Sequence, residues 1–227
     1  AYRDLPQLET AVNDARAVAR LLGQAYGHEV TLLENATRAD VLRALAKYRQ
    51  TLTAGDNLLI YYAGHGYVDK GVELGYWLPV DAEKDNPSNW IANTDLTTAI
   101  RAIAAKHVMV VSDSCYSGTL LRSAPIAPAR APVEQTEWLR RMVAKKARVV
   151  MSSGGVEPVV DGGGDGHSVF ARAFLTALQE NEAVLEGQGL FERIKRPVIL
   201  NSPQTPEYAD IRQAGHDGGD FLFVRRP

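Results

Sequence analysis

The chain has 227 residues, 45% of them hydrophobic, which is enough to enclose a sizeable core and fits one large α/β domain. Its 25 Lys and Arg residues nearly balance 27 Asp and Glu residues, and a formal charge of −2 provides no basic surface that would indicate a nucleic-acid ligand. The single cysteine excludes an internal disulfide framework and indicates a reducing, cytoplasmic compartment, while no apolar run approaches the roughly 18 residues needed to cross a membrane.

The N-terminal part of the chain predicts a helix, a strand and a second helix. Apolar residues recur at helical spacing over residues 8–24, and residues 29–33 (EVTLL) predict a strand. Thr37, followed three residues later by Asp40, has the pattern of a capped helix start, and one apolar face continues to about Gln50.

Two apolar runs, residues 58–63 (LLIYYA) and 107–113 (HVMVVSD), then predict buried strands. Between them, residues 75–80 predict a short strand, and Thr94 is placed to cap a helix over residues 95–105. After the second buried strand the sequence predicts a linker (122–135), a helix (136–145) and a strand (147–152). A Gly-rich loop (154–166), a helix (168–180) and a final strand (220–225) follow. This alternation predicts a mainly parallel sheet with helices on both faces.

A cysteine and a histidine each follow one of the two buried strands. Cys115 lies in the hexapeptide DSCYSG after the second strand, and His65 lies between Gly64 and Gly66 after the first. A thiol with its ordinary pKa near 8.5 is mostly protonated at neutral pH, and a neighbouring imidazole can remove the proton. Because functional groups in α/β proteins gather at the carboxyl ends of strands, the pair is a candidate for nucleophilic catalysis. The glycines would let backbone N–H groups approach an oxyanion.

Each of the two residues also has a structural explanation when it is considered alone. A lone Cys is more often a small buried hydrophobe, and a lone His near a strand end is more often part of the core. Their joint placement after two strands, fifty residues apart, is what favours catalysis.

Further segments accompany LLIYYAGHG and VMVVSDSCYSG along nearly the whole chain. They are AVNDA (11–15), GYWLPVDA (75–82), VVMSSG (149–154), HSVFARAFLTAL (167–178), and QTPEYADIR with GGDFLFV near the end. Together these segments resemble the caspase-like clan of cysteine peptidases, specifically its bacterial metacaspase- and paracaspase-like branch. The resemblance implies a caspase-like three-layer sandwich with a mainly parallel central sheet.

Transferred position by position, the resemblance implies a catalytic dyad. His65 would be the general base and Cys115 the nucleophile, with the backbone N–H groups of Gly66 and Cys115 as the oxyanion hole. The reaction would be acyl transfer through a thioester.

The resemblance also implies three substrate-binding residues: Asp14 in the early Asn-Asp-Ala, Asp113 two residues before the nucleophile, and Ser152 at a strand end. An unpaired carboxylate so close to the nucleophile would oppose thiolate formation, so Asp113 needs a cationic partner. A substrate guanidinium can bond two carboxylates in fixed geometry, which favours Arg before the scissile bond and Lys second. In the alternative, Asp113 caps a neighbouring backbone turn, and Asp14 caps or pairs on its own helix.

Three positions depart from the metacaspase pattern. Ala63 and Ala11 replace a Ser and a Cys that many metacaspases have, which removes some pocket polarity, and Tyr116 replaces a common His after the nucleophile. Caspases proper recognise Asp with basic pocket residues, and the context of Asp113 argues against that preference.

The predicted organisation is one caspase-like domain, with a large-subunit-like part (1–121), a linker (122–146) and a small-subunit-like part (147–227). Members of the resembled family begin with a buried strand that this sequence lacks. A sheet without that strand would expose unpaired backbone, so we expect an additional segment, a fused domain or another chain to supply it.

The linker suggests regulation by self-cleavage. It contains Arg122 and Arg130, and loops with little packing are favoured sites of nicking. In the alternative, it is a solvated spacer.

We assign no metal and no other cofactor. Calcium often activates metacaspases, and Asp81, Glu83 and Asp85 lie close together in the sequence, but their spacing does not match an EF-hand, and a solvated acidic loop is the simpler interpretation.

Three functions therefore stand side by side. The first is an endopeptidase that cleaves protein or peptide substrates after Arg or Lys, in a defence, stress or cell-death pathway as the resemblance implies. The second is a catalytically silent caspase-like module that binds peptides or serves as a scaffold. The third is a transferase or ligase that uses the same dyad.

Overall fold

A computed structural model describes residues 2–114, 135–154 and 165–226 of the chain. Its main sheet has four strands in the order β1-β5-β6-β8, which are Asn57–Ala63, His107–Asp113, Ala147–Ser152 and Glu207–Asp210. The first three are parallel, and β8 runs antiparallel to β6. The predicted mainly parallel α/β sheet is therefore confirmed.

Helices cover both faces of this sheet. The helices that pack there are α1 (Ala11–Tyr26), α2 (Arg38–Thr51), α3 (Asn93–Ala102), α5 (Val169–Gln179) and α6 (Gly187–Asn201). A further helix, α4 (Gln135–Ala144), contributes no described residue to the buried clusters. Successive strand residues point to opposite faces, so Met109 and Val111 pack with α1, α5 and α6, whereas Val108 and Val110 pack with α2 and α3. Burial on both faces explains why β5 is apolar without alternation. The result is the predicted three-layer sandwich.

Two smaller antiparallel sheets flank the main one. The first consists of β2 (His65–Asp69), β3 (Leu74–Leu78) and β4 (Ile91–Ala92), and it begins directly after β1. The second pairs β7 (Val184–Glu186) with β9 (Leu222–Val224). No described helix combines the length and the apolar character that a membrane span requires.

Several predicted elements have the expected bounds. The strands β5 and β6 match their predicted ranges residue for residue. At the start of α2, the Thr37 hydroxyl accepts from the Asp40 N–H, and the Asp40 carboxylate accepts from the Thr37 N–H, which confirms the capping box.

Other predictions were wrong. Residues 29–33 form no strand, and Val30, Leu32 and Leu33 are exposed there. The outer side of β1 pairs with no strand among the described residues, and no neighbouring strand there supplies residues 29–33 with the backbone hydrogen bonds that a strand needs. The expected additional strand stays a prediction. Thr94 does not cap α3, because that helix begins at Asn93.

The strands β7 and β8 and the helix α6 were not predicted from the sequence. Gly187, Gly189 and Pro197 made residues 187–201 a poor candidate for a helix, but buried apolar residues on one side hold α6 against the core. Much of the predicted linker lies outside the described residues, and α4 occupies part of the remainder. The division into 1–121, 122–146 and 147–227 stays a prediction.

Candidate active site

His65 lies at the carboxyl end of the main sheet, where the chain turns from β1 into β2. The turn residue Gly64 donates its N–H to the carbonyl of Asp113 at 3.3 Å, which ties it to the end of β5. A Cβ atom on Gly64 would lie 2.6 Å from the Tyr62 hydroxyl and 2.8 Å from the Tyr2 hydroxyl. Only glycine fits this position, and the close packing of the turn fixes the backbone position of His65.

The imidazole of His65 is oriented by residues near the start of the chain. Its Nε2 lies 2.8 Å from the carbonyl oxygen of Pro6. A carbonyl can only accept, so Nε2 carries the hydrogen and Nδ1 is the basic nitrogen. The Tyr2 hydroxyl accepts from the His65 backbone N–H at 2.8 Å, and the two rings lie 4.6 Å apart. The Pro6 contact sets the tautomer, and the Tyr2 contacts hold the backbone and the ring of His65 in place.

Sequence reasoning missed both Tyr2 and Pro6. They precede His65 by 63 and 59 positions, and no local motif links them to it. Pro6 contributes a backbone carbonyl, a group that every residue has, so residue identity alone could not indicate its role.

The predicted nucleophile Cys115 lies outside the described residues. The strands that precede the two dyad residues are aligned, with Ala63 opposite Asp113. His65 and Cys115 each follow this pair by two positions in the chain. The dyad itself stays a prediction, as does the oxyanion role of the N–H of Gly66, which follows His65 in β2.

The two predicted acidic residues meet at the start of α5. Asp14 is 1% exposed and Asp113 is 4% exposed. The Ser168 hydroxyl donates to Asp113 Oδ2 at 2.6 Å, and the Ser168 backbone N–H donates to Asp14 Oδ2 at 3.3 Å. His167 Nδ1 lies 2.6 Å from Asp14 Oδ1. One residue, Ser168, therefore connects carboxylates that are 99 positions apart in the sequence.

The electrostatics of this cluster reflect its burial. Burial raises the pKa of Asp14, although hydrogen bonds from His167, Ser168 and Thr10 oppose the shift. Burial also raises the pKa of Tyr61, and the charges of Asp113 and Asp14 add to the effect, so both carboxylates act on one phenol. The N-terminus of α5, where Ser168 caps the N–H of Ala171, stabilises negative charge.

Ser152 does not join this cluster. It pairs with Ser112 in the sheet and shares the face of Val150, whereas Asp113 lies on the opposite face. Its hydroxyl donates to the carbonyl of Gly154 at 3.1 Å. The substrate-binding role of Ser152 stays a prediction that these contacts do not support.

The described ranges contain no group of three or more His, Cys, Asp or Glu residues placed to hold a metal ion. In the acidic loop, Asp81 accepts from the Arg38 N–H at 2.9 Å, and Glu83 accepts from the Asn86 amide at 2.9 Å. These carboxylates stabilise a helix start and a turn, so their positions do not indicate a calcium site.

Comparison with known families identifies the chain at the family level. The model of the caspase domain matches residues 1–213. The chain belongs to this family of cysteine peptidases. Metacaspase-4 of Arabidopsis thaliana is 26% identical over 140 residues, which is 52% of this chain and 31% of that protein. The match thus spans about a third of the plant protein.

Two solved structures share the fold of this family member. One is a crystal structure of a Geobacter sulfurreducens protein, with a TM-score of 0.63 and 22% identity over 89% of this chain and 84% of that one. The other is caspase-1 from Spodoptera frugiperda, with a TM-score of 0.64 and 15% identity over 91% of this chain and 80% of that one. At these identities the likeness shows the fold alone.

Proposed function

We propose that this caspase-family protein is an endopeptidase that cleaves after Arg, and less efficiently after Lys, through His65 and Cys115. The observation that supports this most is the meeting of Asp14 and Asp113 at Ser168. These carboxylates come from α1 and β5 and lie at the end of the sheet where β1 leads into His65. A pocket with two acidic side chains selects a cation, and Asp as the preferred residue would meet repulsion there.

The proposed chemistry uses Nδ1 of His65. It takes the proton of the Cys115 thiol, and the thiolate attacks the carbonyl carbon of the scissile bond. The N–H groups of Gly66 and Cys115 stabilise the oxyanion. The C–N bond breaks, His65 returns the proton to the leaving amine, and a thioester remains. Water, deprotonated by His65, then releases the acid and restores the thiol.

Arg fits this pocket better than Lys for a geometric reason. A planar guanidinium has donors on two edges and can bond both carboxylates at once, whereas an ammonium is a compact charge on a flexible stem. The proposal extends to protein substrates in a cytoplasmic stress, defence or cell-death pathway, as the family resemblance implies.

Fluorogenic peptides with Arg, Lys, citrulline or Asp before the leaving group test the proposal. We expect kcat/KM to be highest for the Arg peptide and lower for the Lys peptide. Cleavage of the citrulline and Asp peptides should not exceed the background rate. Cys115→Ala should abolish turnover. Asp113→Asn should lower kcat/KM for Arg by about a hundredfold, since a buried charged partner is worth about 3 kcal/mol. Glu182→Gln removes an exposed carboxylate elsewhere and should change nothing.

The other functions would give different results in the same assay. Tight binding of the Arg peptide without turnover would indicate a silent peptide-binding module, and new peptide bonds would indicate a ligase. Preferential cleavage of the Asp peptide would contradict the proposed pocket.

Self-cleavage after Arg122 or Arg130 is part of the proposal. Intact mass should show fragments that end at one of these residues after incubation of the active protein. Cys115→Ala should stay whole under the same conditions, and equal fragmentation of both would exclude self-processing.

A further inference from the structure

His167 lies between Asp14 and the solvent. Its Nδ1 contacts Asp14 Oδ1 at 2.6 Å, while Asp14 Oδ2 accepts from the Ser168 backbone. The Asp14 side chain is 1% exposed, whereas the His167 side chain is 26% exposed. A ligand that reaches Oδ1 from the solvent therefore arrives where the imidazole already lies.

The position of His167 in the chain allows the ring to move without disturbing α5. It precedes the N-cap Ser168, so its side chain supports none of the hydrogen bonds of the helix. The two residues before it, Asp165 and Gly166, form a turn with φ of 50° and 74°. The link from Asp14 to Ser168 uses the Ser168 backbone and is independent of the imidazole.

The chemistry of this contact favours replacement of the His167 imidazole at Asp14 by a group that is always charged. His167 is the basic side chain that contacts Asp14 within the part of the chain that the structure describes. An imidazole offers one N–H to the carboxylate and is charged only when it is protonated. A guanidinium is always charged and offers several donors in one plane.

We propose that His167 is a specificity-determining residue, which occupies Asp14 Oδ1 in the free protein and is replaced there by the cationic side chain of the substrate. This rests on the proposed function, in which that side chain binds between Asp14 and Asp113. Asp14 then contributes binding energy only to a side chain that outcompetes the imidazole. The exchange adds discrimination against neutral isosteres of Arg.

Two substitutions of His167 test the exchange in opposite directions. His167→Lys places a permanent cation against Asp14 and should raise KM for the Arg peptide about tenfold, with kcat within about twofold. His167→Ala removes the competitor and should lower KM for the Arg peptide about threefold. If His167 merely positioned Asp14, the substitution His167→Ala would instead raise KM for the Arg peptide.

Thr176→Lys is the matched control, because Thr176 is exposed on α5 and the substitution adds the same charge away from the pocket. Its KM should equal that of the unsubstituted protein, and thermal unfolding should show that each variant folds. If His167→Lys does not fold, His167→Ala alone decides. An unchanged or higher KM in His167→Ala overturns the inference, whereas absence of Arg cleavage by the unsubstituted protein overturns the proposed function instead.

Discussion

The orientation of a single imidazole is the central feature at the residue scale. His65 is held on one side by the Pro6 carbonyl and at its backbone by the Tyr2 hydroxyl. Both contacts come from the segment before α1, so the orientation of the proposed general base depends on a part of the chain that carries no proposed reactive group. The consequence is that a change at Tyr2 should affect the chemical step and leave substrate binding intact.

Tyr2→Phe removes the acceptor of the His65 N–H while keeping the ring against the imidazole. We expect kcat to fall about fivefold with KM nearly unchanged, because one hydrogen bond of about 1 kcal/mol is lost. Steady-state kinetics with the Arg peptide measure both parameters. Tyr67→Phe, which removes the hydroxyl of an exposed tyrosine in β2, should have no effect. Equal losses in the two variants would contradict the role of Tyr2.

Sequence motifs predicted some residues of the site and not others, for a physical reason. Asp14, His65 and Asp113 belong to short segments whose pattern indicated their roles. The segment that begins with His167 and Ser168 carried no such indication. Ser168 and His167 reach the carboxylates through the fold, across 55 to 154 positions of the chain. Their contacts depend on how α5 is placed beside α1 and β5, which no local pattern specifies.

At the scale of elements, the N-terminus of α5 has a structural and a proposed functional role. The Ser168 hydroxyl accepts from the Ala171 N–H and donates its own hydrogen to Asp113. The same residue therefore begins a helix and fixes a carboxylate of the proposed pocket.

Ser168→Ala and Thr37→Ala separate these two roles. Each substitution removes an N-cap hydroxyl and should lower the free energy of unfolding by about 1 kcal/mol, as urea titration measures. Only Ser168→Ala should also raise KM for the Arg peptide, and Ser168→Thr should restore much of the binding. A rise in KM of similar size in Thr37→Ala would show that stability alone explains the effect.

Elements that are defined by burial were the easiest to predict. The strands β5 and β6 are buried along their whole length, so their central residues are apolar without alternation. Residues 29–33 have a similar composition, yet they form no strand in the structure because no neighbour supplies hydrogen bonds. Tertiary packing also explains why residues 187–201 form the helix α6 although Pro197 lies within it.

At the scale of the whole molecule, one buried and two half-buried histidines make stability depend on pH. Burial lowers the pKa of His28, His107 and His216 below the ordinary value of 6.5. His216 Nδ1 accepts from the Arg148 N–H at 3.2 Å, so protonation would remove that hydrogen bond. The unfolded chain therefore binds more protons than the folded one just below pH 6.5, and stability is lost as the pH falls through this range.

We expect Tm to be lower at pH 6 than at pH 8. His216→Asn keeps an acceptor near the Arg148 N–H but does not titrate, so its Tm should depend less on pH. Burial raises the pKa of Asp14 and of Asp220, so at lower pH these carboxyls bind protons more readily in the folded state and oppose the loss of stability. For this reason Tm is compared between pH 6 and pH 8 and not at lower pH. A Tm that is independent of pH in this range would contradict the account.

Fold class and layer order followed from alternation of elements, because one buried sheet leaves few arrangements for its helices. The alternation of elements did not predict what pairs with the outer edge of β1. That side of β1 pairs with no strand among the described residues, and the apolar side chains of Val30, Leu32 and Leu33, in the segment after α1, are exposed. An additional strand there stays a prediction.

The central claim is that His65 activates Cys115 beside a pocket for a basic side chain. Peptidyl chloromethyl ketones with Arg or Asp at the reactive end alkylate an activated thiolate, and mass spectrometry of the digested protein locates the adduct. We predict a single adduct on Cys115 with the Arg reagent, slow reaction with the Asp reagent, and loss of labelling in His65→Ala. Labelling of Cys115 that is as fast without His65, or faster with the Asp reagent, would contradict the account.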